Sequence, residues 1–262
     1  MVVLMMTMKN VFKSFNGNKV LRGLNLEIHD GEIFVLLGKS GSGKSVILKH
    51  LMGLMKPEQG EVLIDNDDMT KLSGQALYAK LLNLGMIFQM GALFDSMTVA
   101  QNVGFYLREH GIRGGKKIAL SDIKKFVSEA LENVGLAGTE ELYPGNLSGG
   151  MRKRASIARC IVYKPKYLLY DEPTTGLDPV TAQTIAKLIV EQQNELQGTT
   201  VVVSHDIVTT LAIADRIALI EDGKIEIVAS PKEFMQHKHP TIQVFNEMIG
   251  KDLSLIGKQR NG

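Results

Sequence analysis

Apolar and polar residues alternate through positions 8–28, with a break at Asn16-Gly17-Asn18. A period of two marks half-buried strands, so this stretch predicts two strands joined by a turn. Positions 33–37 are apolar throughout and bounded by glycines, as in a strand buried on both faces. A helix is expected over 44–55, stopped by Pro57 and Gly60, and a strand over 61–65. A short strand follows at 85–89 and closes on Gln89. From 91 to 163 the strand signal vanishes. Helical periods appear at 99–110 and 121–134, separated by glycine-rich turns at 111–115 and 135–145, and a further helix runs from Gly149 or Gly150 through Cys160. Strand patterns return at 167–170, 200–204, 217–220 and 224–228, alternating with helical ones at 179–196 and 206–214. Such alternation favours parallel pairing through crossovers. The tail from Ser230 reads as an amphipathic helix that frays at 258–262.

Composition narrows this picture little. The 262 residues are 44% hydrophobic and 22% charged, a globular balance. A net charge of +2 argues against nucleic acid as the main partner. The single cysteine, Cys160, falls inside a helix and reads as a buried thiol. With no internal disulfide possible, a reducing cytosol fits. No apolar run reaches the roughly 18 residues of a membrane span. The opening MVVLMMTM is too short for a signal h-region, and methionines at 5, 6 and 8 leave the start of translation open.

The chemistry begins at Gly38-Lys39-Ser40-Gly41-Ser42-Gly43-Lys44-Ser45, which matches G-x-x-x-x-G-K-[ST] between a buried strand and a helix. Glycines let successive N–H groups turn toward phosphate oxygens, and the helix N-terminus favours anions. Lys44 is placed to reach the β- and γ-phosphates, and Ser45 offers a hydroxyl to Mg²⁺. A second signal is Tyr167-Leu168-Leu169-Tyr170-Asp171-Glu172, a buried strand ending in two acids. Ligands sit at that edge of open α/β sheets. Asp171 would hold Mg²⁺, largely through water, and Glu172 would act as general base on the attacking water. Gln89 and His205 also fall at strand ends: Gln89 could reach Mg²⁺ or the water, and His205 the γ-phosphate.

As a set these elements resemble the ATPase subunit of an ABC transporter over residues 8–230. The resemblance rests on the phosphate loop 38–45, the Q-loop Gln89, the signature Leu147-Ser148-Gly149-Gly150-Met151, the acidic strand 167–172, a D-loop Gly176-Leu177-Asp178 and a switch His205. It implies an α/β fold of the P-loop NTPase type: a mixed, mainly parallel sheet flanked by helices, an antiparallel β portion at the N-terminus and an inserted α-helical subdomain. One ABC ATPase domain would fill 1–262, with a nucleotide-binding core at 1–90 and 164–229, a helical signature subdomain at 91–163 and a tail at 230–262. ATP contacts would come from Phe15, stacked on adenine, and from Gly38, Lys39, Ser40, Gly41, Ser42, Gly43, Lys44, Ser45 and Val46. Ser148, Gly149, Gly150 and Asp178 would complete the ATP site of a second copy in a head-to-tail dimer. Catalysis would rest on Glu172, His205, Gln89 and Lys44, with Ser45, Gln89 and Asp171 around Mg²⁺.

Finer wording is similar to the lipid-transport ATPases of the Mla and Mce type: residues 88–96, the signature followed by Arg152-Lys153-Arg154, and 170–179. Most ABC ATPases carry Gln where this chain has Met151, a departure typical of that lipid-handling group. The resemblance implies ATP-driven dimerisation coupled to transmembrane permease subunits, a lipid-carrier component, and a peripheral place on the cytoplasmic face of the membrane. A small-solute importer is the alternative, and a soluble non-transport ABC ATPase a more distant one. Two features stay open in the sequence. Arg152-Lys153-Arg154 is either a set of phosphate or partner contacts or a solvated face. Met90, Leu93, Phe94 and Met97 are either a docking surface or part of the core of the insertion.

Overall fold

The computed structural model describes residues 4–258. The expectations placed on 259–262 and on the first three residues lie outside it. In chain order the elements are β1 (Leu4–Phe15), β2 (Asn18–His29), β3 (Ile33–Leu37), α1 (Lys44–Leu51), β4 (Gln59–Ile64), β5 (Asp67–Asp68), α2 (Gly74–Leu81), β6 (Leu84–Ile87) and α3 (Val99–His110). They continue with β7 (Ile112–Arg113), β8 (Lys116–Lys117), α4 (Ile123–Asn133), α5 (Gly149–Ile161), β9 (Tyr167–Asp171), α6 (Pro179–Leu196) and β10 (Thr199–Ser204). The last are α7 (Ile207–Ile213), β11 (Arg216–Glu221), β12 (Lys224–Ala229), α8 (Pro231–Gln236) and α9 (Pro240–Lys258).

Two sheets share one apolar cluster with α1. An antiparallel sheet runs β2-β1-β4-β5, and a six-stranded sheet runs β12-β11-β3-β10-β9-β6. In the second, β3, β6, β9, β10 and β11 are parallel. Its central strands bury both faces, and the period of two sorts their side chains. Phe34, Leu36, Leu169, Val201 and Val203 join α1 and the antiparallel sheet in one cluster. Val35, Tyr170 and Val202 face the other way, onto the helices. That second cluster runs without a break into Val103, Leu107, Val127 and Leu131 of the insertion, through Ile157 of α5 and Ile189 of α6. The insertion is therefore packed onto the sheet rather than around a separate core. A third cluster, with Leu219, Phe234 and Ile242, seats α8 and α9 against the β11–β12 edge.

Most expected elements are present, and several differ. α1 stops at Leu51 rather than 55. Gly53, at φ 62°, turns the chain so that Leu54 N–H closes on the Lys49 carbonyl at 2.9 Å. β12 runs antiparallel to β11, against the parallel expectation, because only Asp222 and Gly223, both at positive φ, join the two. β1 starts at Leu4, and its Met5, Met6 and Met8 are core. The short α2 and the two-residue hairpin β7–β8 were not expected. β6 ends at Ile87 rather than Gln89: the backbone turns there, with Gly91 N–H bonded to the Phe88 carbonyl at 3.0 Å.

Candidate nucleotide site

Register gathers the site. Along β3, β10, β9 and β11 the pairs Leu37↔Ser204, Asp171↔Val203 and Leu37↔Leu219 bring the carboxyl ends to one edge. The next residues, Gly38, Glu172 and His205, are thus neighbours despite separations of more than 30 residues. The loop after β3 needs its glycines. A Cβ on Gly38 would lie 2.5 Å from the Ile220 carbonyl, and Gly43, which opens α1 at φ 103°, sits against Leu21 and Val20.

Within this edge the polar groups are already paired. Lys44 is 5% exposed, and its Nζ donates to the carbonyls of Gly38 (2.7 Å) and Lys39 (2.9 Å). Burial lowers its pKa, partly opposed by Glu172 and Asp171. Ser45 Oγ donates to Asp171 Oδ1 at 3.0 Å, and burial raises the Asp171 pKa. Glu172 sits at φ 46° with its N–H bonded to the Val203 carbonyl at 3.0 Å. Its Oε2 accepts from Thr175 Oγ1 (2.7 Å) and lies 3.0 Å from His205 Nδ1, and its Oε1 is 3.9 Å from Lys44 Nζ. The Ser42 hydroxyl is buried with no partner among the described residues. A buried hydroxyl without a partner costs about 1–3 kcal/mol. Together with the ammonium pressed among carbonyls beside it, this hydroxyl suits an anion with acceptor oxygens such as a polyphosphate.

A cleft of about 410 Å³ opens here, lined by Phe15, Ser40, Gly41, Gly43, Lys44, Ser45, Val46, Gln89 and Glu172 among others. Phe15, at the end of β1, is 39% exposed and so is not a core residue; Lys13 Nζ is 5.7 Å from its ring centre. Gln89 enters the cleft from the turn beyond β6. A second cleft of about 530 Å³ joins Gly38, Lys39, Ser40, Glu172 and His205 to Pro240, Thr241, Val244 and Phe245 of α9. The tail thus walls the site, which its composition did not announce.

Four expected contributors stand apart, since Ser148, Gly149, Gly150 and Asp178 line neither cleft. Ser148 is exposed and caps α5, accepting from Met151 N–H at 3.3 Å. Asp178 caps α6 through Val180 N–H and Thr181 N–H. The glycines between differ: a Cβ on Gly150 would meet Thr181 Cγ2 at 2.6 Å, whereas one on Gly149 meets nothing nearer than 3.9 Å. Packing explains the first and leaves the second free for a group from outside. The Met151 side chain is half-buried against the helical core.

The structure also bears on the two open features. Arg152 Nε bonds the Pro144 carbonyl (2.9 Å), and Arg154 the carbonyls of Val134 and Gly135. Lys153, only 4% exposed, donates to the carbonyls of Phe88 (3.2 Å) and Gln89 (2.8 Å). Burial pushes its pKa down to about 8, against the pull of Asp171 and Glu172. Of the run, Lys153 is buried and Arg154 half-buried, while Arg152 is exposed but bonded to backbone. Of the apolar four, Leu93 and Met97 are half-buried, while Met90 is 90% exposed and Phe94 41%. Cys160 is buried, its thiol pushed up to about 12 by burial.

A phosphate loop and acidic strand end on one sheet edge, beside a separate Ser-Gly-Gly helix entry, define a nucleotide-hydrolysing cassette. The ABC transporter family model matches residues 21–175, and the chain belongs to that family. Among curated proteins it is 37% identical to a "Probable ribonucleotide transport ATP-binding protein mkl" of Mycobacterium leprae, over 95% of this chain and 70% of that one. It is 39% identical to the "Intermembrane phospholipid transport system ATP-binding protein MlaF" of Haemophilus influenzae (84% and 82%). To the "Methionine import ATP-binding protein MetN" of Carboxydothermus hydrogenoformans it is 40% identical (95% and 74%). The solved "Dimeric structure of a post-hydrolysis state of the ATP-binding cassette MJ0796 bound to ADP and Pi" superposes with a TM-score of 0.78 at 32% identity, covering 87% of this chain and 99% of that one. The chain is thus an ATP-hydrolysing subunit of an ABC transporter. No helix among the described residues is long and apolar enough to cross a membrane.

Proposed function

We propose that this subunit drives transport of phospholipid or a related lipid. It would sit peripherally on the cytoplasmic face of a membrane, coupled to transmembrane permease subunits and served by a lipid-carrier component. The observation that carries the cargo is Met151. A thioether turned into the helical core stands where most ABC ATPases place a Gln, as in the lipid-handling group, and the MlaF relative matches over 82% of its own length. The MetN relative, equally similar in identity, keeps a small-solute importer as the second reading.

The geometry supports the following roles. Phe15 offers a stacking face for adenine, and the loop from Gly38 to Val46 wraps the phosphates. Lys44, already desolvated, gains an anion for its charge. Ser45, Asp171 and Gln89 are the residues that would hold Mg²⁺, which when bound neutralises charge on the phosphates. Glu172 takes a proton from the attacking water, its carboxylate aimed by Thr175 and His205. Ser148, Gly149 and Gly150 present the open N-terminus of α5 to the γ-phosphate held by a second chain, with Asp178 holding the adjoining loop. Residues 1–90 and 164–229 act as the nucleotide core, 91–163 as the signature subdomain and 230–262 as the tail.

Purification of the tagged chain from detergent-extracted membranes, followed by mass spectrometry of bound proteins and lipids, tests the cargo. Permease subunits that carry stoichiometric phospholipid are expected. Permease subunits that carry no lipid, with ATPase activity stimulated by an amino acid and its binding protein, would overturn the lipid reading.

A further inference from the structure

One face of α5 points a row of donors at one short stretch of backbone. Cys160 Sγ donates to the Met86 carbonyl (3.1 Å), Lys153 Nζ to those of Phe88 and Gln89 (3.2 and 2.8 Å), Ser156 Oγ to that of Gly91 (2.7 Å), and the Arg159 guanidinium to that of Ala92. Positions 153, 156 and 160 fall on one side of a helix by its period. The turn that carries Gln89 into the cleft is thereby bonded along its length to the helix that begins at Ser148. Within this row Lys153 is the buried charge, and it is the member that touches Gln89. Burying an ammonium is costly, and an apolar side chain of the same length would fill the space at less cost. Stability alone gives a poor reason for a lysine here.

We propose that Lys153 is a positioning residue for ATP turnover, fixing the Gln89 backbone to α5 so that Gln89 and Ser148 move as one body. This rests on the roles given above to those two residues. Gln89 lines the cleft of its own chain, and Ser148 completes the cleft of the partner. Lys153 lies within the first two turns of the same helix, so the state of one ATP site is passed to the other through a single rigid element.

The test is a double-mutant cycle on the purified full chain: Gln89→Ala, Lys153→Met and both together. Steady-state kcat is measured beside affinity for a fluorescent ATP analogue. Lys153→Met is expected to lower kcat about ten-fold or more, the scale of a lost buried bond to a charged donor, with affinity held within about two-fold. Because Lys153 acts through Gln89, the double variant should be no slower than the slower single one. A Lys153→Met kcat near wild type, or losses that multiply in the double variant, would overturn the inference. If Gln89→Ala itself turns over normally, the role of Gln89 fails and this inference with it. If Gln89→Ala is slow and Lys153→Met is not, only this inference fails. Lys153→Leu, which also removes the donor, carries the same cycle should Lys153→Met not fold.

Discussion

The loop at 38–45 and the turn at 148–150 are both glycine-rich entries to helices, but they stand in different surroundings. Around the loop most polar groups already have a use within the chain: Lys44 among carbonyls, Ser45 on Asp171, Glu172 between Thr175 and His205, with the Ser42 hydroxyl the exception. Among the described residues, Ser148 itself bonds to its own helix alone. The loop is packed from behind by Ile220 and Leu21, whereas a Cβ on Gly149 would meet only Leu177 Cδ2, at 3.9 Å. The two regions teach the difference between a site prearranged by one chain and a surface shaped for a second one. Low-dielectric burial organises the first, and the second keeps unpaired helix N–H groups available.

The comparison breaks most visibly at Glu172. Glu172→Gln keeps the size and the contact with Thr175 but cannot take a proton. Turnover is expected to fall about 10³-fold, within the range of general bases, while ATP affinity holds. Single-turnover kinetics would check this, and near-normal turnover would remove Glu172 as the base.

The glycine pair sharpens the comparison with smaller effects. Gly150→Ala forces a Cβ onto Thr181, and a loss of about 1–3 kcal/mol in unfolding free energy is expected, as in overpacked cores. Gly149→Ala puts its Cβ at an ordinary contact distance, 3.9 Å, from Leu177 Cδ2 and gains helix propensity. Its melting temperature should match or slightly exceed the wild type while turnover falls, which thermal denaturation and an ATPase assay together would read. Equal destabilisation by both would mean that the turn is glycine-rich for packing alone.

How far the sequence carried depends on where each residue's partners lie. α3 was readable to its ends because its punctuation is local: Thr98 and Gln101 form a capping box, and Gly111 closes the helix in the left-handed region. The buried strands β3, β9 and β10 were readable from unbroken apolar runs, and the phosphate loop from its spacing. α2 escaped because none of its residues is buried, so it carries little periodic signal. The end of β6 was overrun because the apolar pattern continues through Phe88, whereas the turn is set by Gly91 and by donors on α5. Lys153 was unreadable for the same reason: it sits in a basic run that looks solvated, and its acceptors lie 64 and 65 residues earlier. The tail's place beside His205 likewise follows from Phe234 and Ile242 docking on β11–β12, a contact without a local mark.

The claim that the Ser148 turn completes the ATP site of another chain can be tested by mixing two inactive variants. Lys44→Ala removes the phosphate lysine, and Ser148→Arg blocks the turn. In a mixed head-to-tail dimer one site has both defects, and the other has an intact Lys44 facing an intact Ser148. ATP turnover should therefore reappear on mixing, toward about a quarter of the wild-type rate when the chains pair at random. A mixture that stays at the sum of its two inactive parts, although dimers exchange, would place Ser148 outside the partner's ATP site.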